Sequence, residues 1–430
     1  MKKPAQDRPA AAAEAASANA SGAAALSWSP WRVVVGFGVV SLAADMVYEG
    51  ARSVTGPLLA SLGASAVLVG LVSGAGEATA LLLRVVFGSW ADRSGRYWTL
   101  TFVGYGLTAV CVPALAITPF LAGAGLAIAC ILILGERLGK AVRSPAKTAL
   151  LAHAATAVGL GRGFGVHQAL DQTGAVAGPL LVAAVAAAAG SIWPAMAVLI
   201  VPGAVAMLML LRIWRRMGTP VVSDDDAIPT EKTPERRESL LSRLHGQLPR
   251  VFWLFAGAAA AASAGLVTFA VISYHLTQDQ VVPVAAVPVI YAAAMAAEAL
   301  TALGSGWLFD RTRGGALLGL PLLVTAVPVL AFASAPMIAI IGALVWGAAG
   351  GILDSTVKAL VADLVPAPRR ATAYGVFAAV QGAAAIAGGV MAGALYQHSL
   401  PILIAAVAAT QVVALVLLIA TLRRQQRTRT

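Results

Sequence analysis

The chain has 430 residues, of which 59% are hydrophobic and 11% charged, against roughly 45–50% and about 25% in ordinary soluble domains. So few polar side chains cannot cover a water-facing surface, which excludes a soluble globular protein and makes lipid the expected solvent. The net charge of +11, from 30 Lys and Arg against 19 Asp and Glu, then reads as membrane topology and contact with anionic lipid rather than as a nucleic-acid patch. Residues 1–30 are Ala-rich with Lys2, Lys3, Asp7, Arg8 and Glu14 interspersed. They lack the unbroken apolar core of a signal peptide and are expected to form a disordered cytoplasmic tail.

Twelve apolar runs follow, at 32–58, 66–87, 97–118, 121–142, 163–188, 191–213, 251–274, 284–305, 315–335, 337–360, 371–395 and 400–422. Each is near the ~20 residues that cross a bilayer as a helix, the form in which lipid leaves no backbone group unpaired. The expected fold is an all-α membrane protein of two pseudo-symmetric six-helix bundles, 31–213 and 251–424. A charged loop at 214–250 joins them and a short tail at 425–430 follows, both cytoplasmic. Within the loop, Thr233-Pro234 is compatible either with the start of a surface helix carrying Leu240, Leu241 and Leu244 or with solvated linker. Cys111 and Cys130 lie in apolar runs and carry no metal or disulfide spacing.

Charge placement orients the chain. With the N-terminus cytoplasmic, no Lys or Arg falls in the six outer connections. The inner segments hold Lys2, Lys3, Arg93, Arg96, Lys147, Arg162, Arg215, Arg216, Arg236, Arg237, Arg311, Arg313, Arg369, Arg370, Arg423 and Arg424. This is the positive-inside pattern, and it predicts an inner (plasma) membrane protein with both termini cytoplasmic.

Two strings repeat across the halves. Gly88-x-x-x-Asp92-Arg93-x-Gly95-Arg96 recurs in reduced form as Gly306-x-x-x-Asp310-Arg311, an offset of 306 − 88 = 218 residues. Residues 165–178 align without gaps to 375–388, with Asp171 opposite Gln381 and His167 opposite Phe377. The first half therefore keeps ionisable groups where the second has neutral ones, which points to the first bundle as the seat of ion coupling. A duplication of this kind belongs to transporters built from two homologous bundles.

From about Trp31 to Arg424, the chain resembles the major facilitator superfamily of secondary transporters. The resemblance rests on the first string between helices two and three, and on its echo between helices eight and nine. It implies a gate at the cytoplasmic side: Gly88, Asp92, Arg93, Gly95, Arg96, Asp310 and Arg311, with Arg143, Arg369 and Arg370 as candidate partners of Asp92. Gly165, Gly174, Gly178 and Pro179 resemble the helix-five signature of the superfamily's proton-driven exporters, although Val182 and Ala183 stand where its trailing glycines belong. That likeness implies a tight, bent helix at a rocking interface.

Ionisable groups inside the runs are functional candidates, since each costs roughly 2.5–3.5 kcal/mol on insertion scales. Asp45, Tyr48, Glu49 and Arg52 share one face of the first helix. Glu77 lies in the second run, His167 and Asp171 one turn apart in the fifth, Glu298 in the eighth, and Asp354 with Lys358 in the tenth. Carboxyls held in an apolar bundle can exchange protons near neutral pH. Asp45, Glu49, Glu77 and Asp171 are accordingly the coupling candidates, with an internal salt-bridge network as the alternative. The stretch Glu136-Arg137-Leu-Gly-Lys140-Ala-Val-Arg143 reads as closing the fourth helix near the cytoplasm, as gate charges or an anion site.

The expected function is alternating-access export of a small solute against inward proton flow. Symport of a metabolite, divalent-metal transport through Asp45, Glu49, His167, Asp171 and His275, and a non-transporting receptor are the alternatives. No enzymatic nucleophile–base pair, cofactor or metal-ligand spacing is present, and no nucleic-acid partner is implied. The expected partners are the solute, protons and membrane lipid, and the expected working unit is a monomer.

Overall fold

The computed structural model describes residues 28–217, 248–312, 315–365 and 370–427. Nearly all of the expected N-terminal tail and central loop lie outside these residues. The described chain is helical throughout. α1 (Pro30–Ser53) is followed by a short helix, Thr55–Ser61, that completes the first span. α2 (Ala66–Ser94) and α3 (Tyr97–Ala114) come next, and α3 tightens into a 3-10 turn over Leu115–Phe120. α4 (Gly125–Thr156), α5 (Leu160–Ala189) and α6 (Ile200–Met217, after a short Ile192–Val198 helix) complete the first half. In the second half α7 (Arg250–Gly265) breaks and resumes as Phe269–Gln278. α8 (Val287–Thr312), α9 (Leu320–Ala331), α10 (Pro336–Leu364), α11 (Arg370–His398) and α12 (Leu400–Arg427) follow. Among the described residues, eleven spans are long and apolar enough to cross a membrane, and Leu317–Ala331 is a shorter twelfth.

Local chemistry sets several ends. Pro30 occupies the first turn of α1, where its missing N–H is no loss. The Ser65 hydroxyl caps α2 by accepting from the Leu68 N–H at 3.3 Å. Gly95 closes α2 in the left-handed region at φ 62°, its N–H donating to Ala91 O at 2.9 Å.

The contacts repeat across the halves. α1 packs on α5 and α6 as α7 packs on α11 and α12; α2 packs on α4 as α8 packs on α10; α3 packs on α4 and α6 as α9 packs on α10 and α12. Two pairs join the bundles, α2 with α11 and α5 with α8, and the Thr55–Ser61 helix meets Phe269–Gln278. Successive spans run in opposite directions, so the α2–α3 turn defines one face, here the Asp92 face. The turn at Gly63 defines the opposite one.

The bundles meet most closely toward the Gly63 face. A methyl group on Gly70 would overlap the Gly389 carbonyl, and one on Gly389 would overlap that of Gly70. Farther toward the Asp92 face, a Cβ on Gly375 would meet only the Val85 side chain, at 3.5 Å. Small residues thus let backbone touch backbone at one end of the joint.

Two expectations change. α4 does not end near Val142 but continues through Pro145 to Thr156, so Glu136, Arg137, Lys140 and Arg143 lie in the middle of a span. The α5 glycines are not on the joint between bundles. Methyl groups on Gly174 and Gly178 would overlap the α1 backbone at Leu42 and Met46, within the same bundle. Pro179 is buried and Gly165 faces open space.

Candidate functional site

Two helix faces create a buried charge network. α1 presents Asp45, Tyr48, Glu49 and Arg52 along one stripe. The matching stripe on α4 is Glu136, Arg137, Lys140, Arg143 and Lys147, spaced by about a turn. α2 supplies Glu77, and α5 supplies His167 and Asp171. Among these groups Glu49, Glu136, Arg137, Arg143 and His167 are each no more than 7% exposed.

Glu77 is the centre of the network: its Oε1 is 2.9 Å from Arg52 Nη2 and 3.3 Å from Arg137 Nη1. Arg52 also lies 3.7 Å from Glu49, one turn back on its own helix, and Arg137 Nε lies 3.8 Å from Glu136. Arg137 donates to the Tyr48 hydroxyl. The Tyr48 ring carries the Lys140 ammonium 3.6 Å from its centroid and the Arg137 guanidinium at 4.7 Å. Toward the Asp92 face, Arg143 donates to the Thr108 hydroxyl, which in turn donates to Glu136 at 3.4 Å. Arg143 also approaches Asp45 at 4.0 Å. Lys147 donates to Ser41 at 3.0 Å, and Asp171 shares that serine. Opposite charges paired in this way are what make such a cluster tolerable in an apolar bundle.

One side-chain hydrogen bond carries the network across to the second bundle. The Tyr291 hydroxyl on α8 donates to Glu49 Oε2 at 2.5 Å. Tyr291 is fully buried, its ring edge-on to Phe269 at 4.6 Å. Gln172 on α5 makes a second crossing bond, to Met295 O at 3.3 Å. Tyr291 is a neutral residue in an apolar run, and sequence reasoning did not single it out. On the closed Gly63 face, a groove of about 550 Å³ lies between the bundles, bordered by Ser61, Trp193, Thr277 and Gln278 among others.

The expected gate residues sit apart from this network. Asp92, Arg93 and Arg96 are exposed at the turn after α2, and Asp92 accepts from the Tyr97 hydroxyl at 3.2 Å. Arg143 does not reach Asp92, being committed inside the bundle to Asp45 and Thr108. Arg369 lies outside the described residues, as do the side chains of Arg370, Lys358 and Asp310. Gly88 rests against Pro145 of α4. Arg311 stacks 3.6 Å over Trp307 rather than reproducing the geometry of Arg93.

The divalent-metal alternative finds no assembled donor set. His275 lies in the second bundle, with Nδ1 2.8 Å from Asp279 and 3.1 Å from the Tyr396 hydroxyl. No cluster of three or more His, Cys, Asp or Glu side chains that could hold a metal occurs among the described residues.

Comparison with known proteins adds a family, a relative and two related structures. The family model described as Major Facilitator Superfamily matches residues 37–318 and, in a second overlapping match, 253–430. An uncharacterized protein of Mycobacterium tuberculosis (strain ATCC 25618 / H37Rv) is 50% identical over 400 residues, 93% of this chain and 95% of that one. The crystal structure of the nucleoside transporter NupG superposes with a TM-score of 0.66 at 15% identity, covering 91% of this chain and 98% of the other. A bacterial homolog of the human lysosomal transporter Spinster, inward-facing and unoccupied, superposes with a TM-score of 0.61 at 18% identity, covering 91% and 95%. At such identities the two structures speak for the fold alone.

Proposed function

We propose, on the premise that the chain belongs to the major facilitator superfamily and is a membrane transporter, that it exports a small solute by alternating access in exchange for protons. The observation that carries this reading is the Glu49–Tyr291 bond. It ties a carboxylate of the buried network to the opposite bundle at the closed end of the joint. A group that exchanges a proton and also bridges the moving halves can link protonation to rocking.

The concentration of buried charge in α1, α2, α4 and α5 supports placing the coupling in the first bundle. Within that bundle, Glu77 is held by two arginines. Protonating it would strand both guanidiniums, so it acts as a strut. Asp45 and Glu49 carry the exchangeable proton in this reading. Asp92 and its neighbours, at an exposed turn on the face that collects the basic residues, form the cytoplasmic gate of a bacterial-type inner-membrane protein. The export direction rests on the likeness of the α5 segment from Gly165 to Pro179 to that of proton-driven exporters.

The test uses proteoliposomes with a luminal pH reporter, challenged in turn with amino acids, nucleosides, sugars and organic cations. At least one class is expected to drive proton flux opposite to its own movement. Asp45→Asn and Glu49→Gln are expected to abolish that flux while leaving solute-for-solute exchange. Proton movement in the same direction as the solute would replace antiport with symport. Flux unchanged in both variants would remove the assigned coupling role.

A further inference from the structure

α7 is interrupted at Leu266–Thr268, between Arg250–Gly265 and Phe269–Gln278. The interruption is built rather than frayed. The Trp346 indole N–H donates to Val267 O at 2.8 Å, taking up one of the carbonyls that the break frees. Irregular backbone inside a span persists only where protein surrounds it or it lines a cavity. Here it borders a cavity of about 20 Å³, room for a single particle not much larger than a water molecule. Thr268, Phe269 and Ala270 wall this cavity on the second bundle, and Arg52, Ser73, Glu77 and Arg137 on the first.

Two hydroxyls of that wall, Ser73 on α2 and Thr268 at the break, are buried without a hydrogen-bond partner. Ser73 as a whole is only 9% exposed. A helical Ser or Thr can return its hydroxyl to a carbonyl one turn earlier, as Thr55 does to Ala51 O at 3.1 Å and Thr79 to Ala75 O at 2.8 Å. Ser73 does not. Thr268 stands at the N-cap of Phe269–Gln278, yet its side chain caps no backbone N–H. Two bare hydroxyls from opposite bundles on one cavity mark a place that something else occupies. The charge of the wall indicates what. Arg52 and Arg137 bring two positive charges and Glu77 one negative, a balance of +1. Glu77 Oε1 engages one Nη of each arginine, at 2.9 and 3.3 Å. Glu49 and Glu136 approach the same guanidiniums only at 3.7 and 3.8 Å and do not border the cavity. A guanidinium has five N–H donors, so donors remain after these contacts. The first turn of Phe269–Gln278 adds N–H groups that no helical carbonyl reaches, at the positive end of its dipole.

We infer that this cavity binds one small monovalent anion of the halide class, with Ser73 donating from the first bundle and Thr268 from the second. Water would fill the space without answering the charge, and a phosphate or sulfate exceeds the volume. The anion's ligands belong to both halves, so it strengthens the closed Gly63 end and is released when that end opens. The site goes beyond the transport reading above and depends on neither its direction nor its coupling ion.

The experiment titrates the full chain, in nanodiscs of zwitterionic lipid, with sodium chloride and sodium bromide. Sodium gluconate, whose anion is too large for the cavity, holds the ionic strength constant. The unfolding temperature is expected to rise saturably with either halide and not with gluconate alone. Ser73→Ala and Thr268→Val, one on each wall, should each weaken the apparent halide affinity by about tenfold or more. Spin labels at Ser61 and Gln278, which border the groove between the bundles, should shift toward the shorter distance as halide is added. An unfolding temperature that follows ionic strength alone overturns the site and leaves the cavity to water. So does a halide response that is the same in both variants as in the unsubstituted chain. Halide binding with an unchanged label distance overturns the bridge between the bundles. The titration of the unsubstituted chain decides whether the anion binds, even where a variant folds poorly.

Discussion

Replacing Tyr291 by Phe removes one hydroxyl and leaves the ring that packs on Phe269 and Trp346. The hydroxyl donates to Glu49 at 2.5 Å, at a fully buried position. A hydrogen bond to a charged group is worth about 1.5–3 kcal/mol net, and that energy is present only while the Gly63 end is shut. Glu49 keeps Arg52 at 3.7 Å in the variant, so the lower half of the range applies. At 1.4 kcal/mol per factor of ten, the ratio of closed to open molecules should fall roughly tenfold or somewhat more. Spin labels at Ser61 and Gln278, on the two rims of the groove, read this ratio as the weights of a short and a long distance. Cys111 and Cys130 would first be replaced to leave the labels unique. A distance distribution identical in the two proteins would refute the claim that this bond holds the joint closed.

Three further substitutions probe other parts of the mechanism. Gly389→Ala places a methyl group against the Gly70 carbonyl, where neither side is flexible; overpacking of about 1–3 kcal/mol should lengthen the same spin-label distance, and an unchanged distance would contradict the backbone seal. Glu77→Gln and Arg137→Gln, measured singly and together by thermal unfolding, should show a coupling energy of about 1–2 kcal/mol. That is less than the 3–5 kcal/mol of fully buried pairs, because Glu77 is 31% exposed, and a value under about 0.5 kcal/mol would show that the pair is no strut. Asp92→Asn should slow transport severalfold at normal expression; unaltered turnover would remove the gate from that turn.

The scaffold was readable because lipid enforces it. Twelve apolar runs and the doubled Gly-x-x-x-Asp-Arg string follow from what a bilayer permits, and the fold has the corresponding spans. The end of α4 was not readable from hydropathy. Its apolar run stops near Val142, and the charges ahead of Pro145 looked interfacial. The helix continues because those charges are paid for inside the bundle by α1 and α2. A signal was present in the spacing, since Glu136, Lys140, Arg143 and Lys147 recur every three or four residues, the period of the stripe on α1. Which helix a stripe faces is a tertiary fact, and a single sequence does not carry it. The same limit applies to Tyr291, whose role depends on meeting Glu49 across the joint, and to Gly174 and Gly178, whose spacing announces close packing without naming the partner.

The symmetry of the frame and the asymmetry of its chemistry have different consequences. Equivalent contacts between the halves, α2 on α11 and α5 on α8, give the joint two related seams. The chemistry does not repeat. Among the described residues the ion pairs between different helices all lie in the first bundle, joining α1, α2 and α4. The second bundle presents to that network a tyrosine hydroxyl. A substitution at Tyr291 should therefore probe the joint apart from the charges that changes in the first bundle disturb. Losing the tyrosine hydroxyl alters the closing equilibrium without removing a charge. Removing Arg137 or Glu77 would disturb the charges and the joint at once, because the strut that supports Tyr48 and Lys140 also positions Glu49 through Arg52. The second bundle is thus the place to perturb the joint while leaving the charges of the first bundle in place.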